Sequence, residues 1–240
     1  MKKKASKRKP RDPAEIGALV RAQIAPALPA IGIIAKNVEF LDRIEHLAAT
    51  LALWGSKVNL TANPTDPHEI VFHIFDSLIP ISLAVTSKIL KLRLPSEPER
   101  RIADIGSGAG FPGLVIAAAL NAHVTLVESR RKRASFLETA AMEMGLRNVR
   151  VEAGRAESMA VGNGFDLVTA RAVGNPSELF KIAGRLLHLG GLLMLYATGA
   201  QRFKQDDARA AGLIDETVLT YDLRHGNAES NRAAVIWTRR

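Results

Sequence analysis

The run Asp104-Ile-Gly106-Ser-Gly108-Ala-Gly110-Phe-Pro-Gly113 constrains this chain more than any other feature. It follows a short aliphatic stretch, Arg101 to Ile105, and leads into an apolar one, Pro112 to Leu120. Glycines are needed where a strand turns tightly into a helix and a ligand must approach the backbone without Cβ atoms in the way. Pro112 suits the first turn of such a helix, where a missing N–H has no partner to lose. Ligands of open α/β sheets sit at the carboxyl ends of the strands. The turn therefore predicts a binding site as well as an architecture.

The residues after it repeat the alternation. His123–Glu128, Asn148–Ala153, Phe165–Ala170 and Gly191–Ala197 read as strands, with helices over Arg130–Met144 and Pro176–Leu189. The first of these helices buries Ala134, Leu137, Ala141 and Met144 and is closed by Gly145. Strands alternating with helices of this length predict βαβ units and a parallel sheet, an α/β fold of Rossmann-like type. The end breaks the pattern. Leu213–Leu223 and Arg232–Arg239 read as two strands joined only by a loop at His225-Gly226-Asn227, an antiparallel hairpin that a dinucleotide-binding dehydrogenase lacks.

Upstream, Ala14 to Lys91 is helical in pattern, with Leu41, Ile44, Ala48 and Leu51 on one apolar face. Thr65-Asp66-Pro67 predicts a turn into a second helix carrying Ile70, Ile74 and Leu78, which Pro80 is expected to disturb. Two prolines and several charges in 94–99 read as a linker. The expected organisation is a basic disordered arm over 1–13, a helical element over 14–98 and the α/β domain over 99–240.

Composition excludes several chemistries. There is no cysteine, hence no disulfide, thiolate metal site or cysteine nucleophile, and the six histidines form no metal-ligand spacing. No uninterrupted apolar run reaches the ~18 residues of a membrane span, so a soluble, cytoplasmic protein without metal or membrane partner is expected. The net charge of +9 is concentrated: seven of 33 basic residues lie in the first eleven positions, and removing them leaves 26 against 24 acidic ones. Such an arm attracts polyanions, chiefly nucleic-acid phosphates.

The ligand of the glycine turn is not fixed by its letters. Gly108-Ala-Gly110-Phe-Pro-Gly113 fits a dinucleotide fingerprint, and Glu128 follows Gly108 by 20 residues. Counted from the first turn glycine, Gly106, the third glycine position falls on Phe111 instead. A carboxylate at the strand end, Asp104, suits an ammonium better than a pyrophosphate, which favours S-adenosylmethionine over NAD. Glu128 can hold ribose hydroxyls in either case. Ala156-Glu157, after the third strand, is placed to read an adenine amino group. Arg171, at the end of the fourth strand, faces the site and calls for an anionic partner.

These residues resemble a known family, the 16S ribosomal RNA guanine-N7 methyltransferases, also called glucose-inhibited division protein B. The likeness runs from about Phe40 to the C-terminus. It rests on Trp54–Thr61 (WGSKVNLT), His73–Ser77 (HIFDS), Asp104–Gly113, Lys132–Leu137 (KRASFL) and Phe165–Val173 (FDLVTARAV). The resemblance implies a seven-stranded, mostly parallel sheet with an N-terminal helical element. It also implies an S-adenosylmethionine site at Gly106, Phe111, Ala156, Glu157 and Arg171, and N7 of a 16S RNA guanine as acceptor, in free RNA, a small subunit or an assembly intermediate. Phe72 and Thr198 stand where the family usually has cations. They keep open a catalytically silent RNA-binding relative, just as the fingerprint keeps open an NAD-dependent oxidoreductase. His73 and Asp76, three apart on a helix, are candidates for the acceptor side together with Arg171. Lys132 and Arg133 in the basic cluster 130–133, Arg155, and Arg232, which corresponds to a family arginine, are candidates for RNA contact.

Overall fold

A computed structural model describes residues 11–32, 38–91, 99–160, 162–172, 174–199, 201–225 and 228–240. Seven strands form one sheet in the order β3-β2-β1-β4-β5-β7-β6. β1 (Arg100–Ile105), β2 (Ala122–Glu128), β3 (Val149–Ala153), β4 (Phe165–Arg171) and β5 (Leu187–Thr198) run parallel. β7 (Ala228–Arg239) is inserted antiparallel between β5 and β6 (Leu213–His225). The expected terminal hairpin is thus present, with its later strand placed inward. Its loop at 226–227 lies outside the described residues, as do 1–10 of the basic arm and 92–98 of the linker.

The strands alternate between two cores, as the period of a strand requires. Ile102, Leu126, Leu167, Met194 and Ile236 face one layer of helices, while Ala103, Val168, Leu193 and Trp237 face the other. The first layer holds α5 (Gly113–Ala119), α6 (Arg131–Glu143) and the N-terminal helices α1 (Pro13–Ile24), α2 (Leu28–Ile31), α3 (Val38–Trp54) and α4 (Pro67–Thr86), all in a continuous core. The second holds α7 (Pro176–Leu186) and the short α8 (Gln205–Ala210), where Phe180, Phe203 and Trp237 meet edge to face. A mostly parallel sheet covered on both faces accounts for the aliphatic strands.

Several boundaries move for identifiable reasons. Pro13, assigned by pattern to the arm, opens α1, whose N-cap Asp12 accepts from the Ala14 N–H at 2.8 Å. The buried stripe of α3 is Phe40, Ile44, Leu47, Ala48 and Leu51, with Leu41 at its margin. α7 stops at Leu186 rather than Leu189 because Leu187 already pairs with Phe165 on β4. Pro80 does not end α4, which continues to Thr86. By length and mean hydropathy alone α4 resembles a membrane span, yet half of its most apolar window is buried within the fold, and it carries Glu69, His73 and Asp76 toward the strand ends.

Candidate active site

β1 and β4 are neighbours, but the chain leaves them for opposite faces of the sheet: α5 follows β1 and α7 follows β4. Such a reversal opens a crevice at the carboxyl ends of the strands. Two cavities lie there, one of about 260 Å³ at the ends of β1–β3 and one of about 400 Å³ beneath α4 at the ends of β4, β5 and β7.

The smaller cavity is lined by the glycine turn, the end of β2 and the segment after β3. Its lining includes Ile105, Gly106, Gly154, Arg155, Ala156 and Glu157. The Gly106 N–H donates to Val127 O at 2.9 Å, holding the turn against β2. Gly106 has φ +71°, and a Cβ built on it would meet nothing within 4 Å. Glycine there keeps open space next to the strand end, which is what close approach of a ligand requires. Gly113 serves packing instead, since a Cβ on it would lie 2.3 Å from Leu126 Cδ2 and 2.7 Å from Asp104 Oδ2. The 3-10 turn Ala156–Ser158 is fixed from the second helical layer by Arg185. Its guanidinium donates to Ala156 O (2.6 Å), Glu157 O (3.0 Å) and Met159 O (2.7 Å). Nothing in the sequence around Arg185 signals that task.

Three residues expected on this side are turned inward. Asp104 is 1% exposed. One carboxylate oxygen accepts from Thr169 Oγ1 (2.8 Å) on β4, the other from the Gly113 N–H (3.2 Å) at the start of α5. It therefore sits beneath the turn and ties three elements together, rather than facing an ammonium directly. Burial pushes it up to about 6, against the opposing pull of Thr169, Ser107, Gly113 and Arg171. Glu128, expected to hold ribose hydroxyls, accepts from the Gly108 N–H (3.0 Å) and the Arg130 N–H (2.8 Å) and is buried. Gly108 is buried with it. One reason covers all three: two N–H groups of the turn, those of Gly108 and Gly113, take these carboxylates as their acceptors.

The larger cavity is walled by charge. Asp76, fully buried on α4, receives Arg232 side-on, Nε to Oδ1 at 3.0 Å and Nη2 to Oδ2 at 2.9 Å. The Tyr221 hydroxyl donates to Oδ1 at 2.8 Å, and Arg171 Nη1 lies 3.4 Å from Oδ2. Arg171 Nη1 also donates to His73 Nδ1 at 3.0 Å. A guanidinium cannot accept, so that ring nitrogen carries no proton in this geometry. The other, Nε2, stands 3.7 Å from Glu69. Burial works to raise Glu69, but the Asn63 backbone and side-chain N–H groups, Thr61 and His73 hold it below the usual carboxylate range. Phe111 joins the turn to this cluster, with the Arg171 guanidinium 5.4 Å from its ring and the His73 ring tilted against it at 5.1 Å.

Pro80 contributes to this architecture. Lacking an N–H, it leaves the Asp76 carbonyl without its helical donor, and the Tyr221 hydroxyl lies 3.5 Å from that oxygen. One residue on, the Tyr196 hydroxyl donates to Ser77 O at 3.1 Å. Burial raises both phenols, and Asp76 adds to the effect, so both stay protonated donors. The sequence offers one clue to them: they are its only tyrosines.

The expected RNA contacts separate. Lys132 is exposed at the start of α6. Arg133 instead donates to Asn59 O through Nε (3.1 Å) and Nη2 (2.7 Å), and Trp54 packs edge-on against Phe136 at 5.9 Å. The WGSKVNLT and KRASFL segments therefore meet in space, and Arg133 is a tie between them rather than an open cation. Arg155 borders the smaller cavity. Arg232 is paired with Asp76, which together with Tyr221 raises it despite the opposing effect of burial. Among the described residues no group of metal ligands occurs.

Comparison with known proteins agrees with this architecture. A putative transferase from Pyrococcus horikoshii superposes with a TM-score of 0.52 at 12% identity, covering 73% of this chain and 64% of that one. The YcgJ protein of Bacillus subtilis gives 0.51 at 17% identity over 67% of this chain and 99% of the other. Ribosomal RNA small subunit methyltransferase G of Streptococcus pyogenes serotype M12 is 36% identical over 187 residues, 74% of this chain and 75% of that protein. The protein of the same name from Wolinella succinogenes is 38% identical over 150 residues, covering 62% and 70%. Residues 41–225 match the model of GidB, described as rRNA small subunit methyltransferase G. The glycine turn, α4, the Ala156-Glu157 turn and Arg171 fall within that span, with Arg232 just beyond it, and the chain belongs to the GidB family of rRNA small subunit methyltransferases.

Proposed function

We propose that this chain, acting in the cytoplasm, transfers a methyl group from S-adenosyl-L-methionine to N7 of a guanine in 16S ribosomal RNA, free or within a small subunit or its assembly intermediate. The observation that carries the reading is the adjacency of two unlike cavities at the ends of β1 and β4. One presents open backbone, and the other is large enough for a base yet offers no side chain placed as a general base. Asp76 is surrounded by guanidinium and phenol donors, and His73 Nδ1 is taken by Arg171. Guanine N7 has an in-plane lone pair and no proton, so it needs no base.

The residues present fit the cofactor in three respects. Gly106 leaves room at the strand end, Arg185 fixes the Ala156-Glu157 turn where an adenine would lie, and Arg171 lines the larger cavity against Phe111 of the turn. When bound, S-adenosylmethionine supplies an electrophilic methyl on a sulfonium. The chain's own part is to hold the acceptor nitrogen in line with that carbon at ~3–3.5 Å and to exclude water. Asp104 and Glu128 act one layer back, keeping the turn in shape. The acceptor base must leave its stack to enter the cavity, and the exposed Lys132 and Arg155 are placed to meet phosphates around it.

An oxidoreductase reading finds no hydride-relay pair, because neither tyrosine has a lysine four residues on. Calorimetric titration with S-adenosylmethionine and with NAD tests the cofactor: binding of NAD alone would overturn the proposal. Mapping 7-methylguanosine in 16S RNA from a deletion strain tests the product. The mark should vanish, and its persistence would leave only a silent RNA-binding relative.

A further inference from the structure

The charged side chains lining the larger cavity do not balance. They are Asp76, Arg171 and Arg232, one carboxylate against two guanidiniums. Glu69 lies behind His73, outside the lining, with its oxygens turned to Asn63. Both tyrosine hydroxyls stay neutral. The side chains of Arg171 and Arg232 are only 19% and 15% exposed, so the excess positive charge is poorly served by water. Asp76 grips Arg232 through Nε and Nη2 alone, which leaves the Nη1 edge outside the carboxylate fork. Arg232 sits opposite Thr198 in the sheet, and Thr198 and Gln201 complete that wall with neutral polar groups.

We infer that this corner of the cavity is an anion subsite for a backbone phosphate of the nucleotide being methylated. Arg232 makes the contact and Asp76 is the positioning residue that aims it. The inference rests on the RNA methyltransferase reading above. An RNA phosphate fits better than a second base contact. Methylation at N7 leaves positive charge on the purine, and a guanidinium held against the base would oppose that change, whereas one neutralised by phosphate does not. With Phe72 and Thr198 neutral, Arg232 is also, among the described residues, the cavity's one guanidinium outside the turn-facing cluster of Phe111, His73 and Arg171. A carboxylate offers the same chemistry as a phosphate, and the cofactor's own carboxylate is the competing source.

The test compares wild type, Arg232→Gln and Arg232→Lys in two titrations, S-adenosylmethionine by calorimetry and protein-free small-subunit RNA across salt. For Arg232→Gln the log–log salt slope should fall by about 0.7–0.9, the release expected from one lost phosphate contact. The advantage of wild type in RNA affinity should shrink about threefold between about 50 and 200 mM salt. Cofactor affinity should stay within about twofold, and Arg232→Lys should recover most of the slope. Loss of cofactor affinity with an unchanged slope would assign the anion to the cofactor and overturn the inference. A folded Arg232→Gln protein unchanged in both titrations would reduce the pair to a structural tie.

Should Arg232→Gln fail to fold, the same question is put to the wild type with RNA carrying a neutral methylphosphonate on either side of the target guanosine. One of the two positions should lower the slope by the same amount, and no effect at either would overturn the subsite. Methyl transfer by wild type to the unmodified RNA is measured alongside. Its absence tells against the methyltransferase reading, whereas transfer with an unaltered slope in Arg232→Gln tells against the subsite alone.

Discussion

On the β1–β3 side of the cleft the shaping features are backbone ones: a glycine with room above it, the ends of two strands, and a 3-10 turn and its following residue gripped through three carbonyls. On the β4–β7 side they are side-chain charge: one buried aspartate, two guanidiniums, a histidine and two phenols. The turn at the heart of the first side is local in sequence, since Asp104 through Gly113 span ten residues. The second joins residues 95 to 156 positions apart. The difference teaches how each side should fail. A backbone wall is damaged by added atoms, and a charge wall by a missing partner.

The largest effect is therefore expected from removing Asp76. Asp76→Ala leaves two mostly buried guanidiniums facing each other, and loss of one partner of a buried ionic group costs about 3–5 kcal/mol. Denaturant unfolding measures it, and a loss below about 1 kcal/mol would mean the cluster is solvated rather than buried.

Asp104 gives the next largest, in the opposite sense to a salt-bridged carboxylate. Its folded value of about 6 lies above its ordinary 3.8, so the folded state prefers the protonated form. That contribution is fully present below about pH 4 and is lost as pH rises through about 6, of the order of 3 kcal/mol in all. Asp104→Asn cannot ionise, so wild-type stability measured against it should fall as pH rises from about 4.5 to 7.5. A difference independent of pH would contradict the burial argument.

Gly113→Ala places a methyl group against Leu126 and Asp104, and such overpacking costs about 1–3 kcal/mol. Gly106→Ala meets no neighbour and carries only the left-handed strain of about 1–2 kcal/mol, but it narrows the space a ligand needs. Unfolding paired with cofactor titration separates them: the first should act mainly on stability, the second mainly on affinity. Tyr221→Phe is the smallest, removing one donor from Asp76 for about 1 kcal/mol. A larger loss would show that the phenol also holds the broken turn at Pro80.

The same contrast explains what could be read from the chain. Strand–helix alternation and the Gly106 turn were legible because their cause is local: period, glycine conformation and cap chemistry. His73, Asp76 and Arg171 were found as candidates but not as one cluster, because their meeting depends on how α4 crosses the strand ends. Arg133 and Arg232 read as cations for RNA, and the sequence does not show that each also has an internal partner, Asn59 O for Arg133 and Asp76 for Arg232. Asp104 and Glu128 read as ligand-facing because sequence shows an acid at a strand end but not which N–H groups of the turn claim it. Pro80 looked like a stop signal. Sequence could not show that Tyr196 on β5 and Tyr221 on the edge strand β6 reach the carbonyls beside it.

The central claim is that an open glycine turn and a charged cavity without a general base together perform transfer to an unprotonated nitrogen. Incubating the purified chain with small-subunit RNA, or with small subunits, and methyl-labelled S-adenosylmethionine tests it most directly. The modified RNA is then digested to nucleosides. The account predicts label in 7-methylguanosine and a transfer rate that is flat with pH wherever the fold is intact. Label in any other nucleoside, or a rate that rises tenfold per pH unit as for a general base, would contradict it.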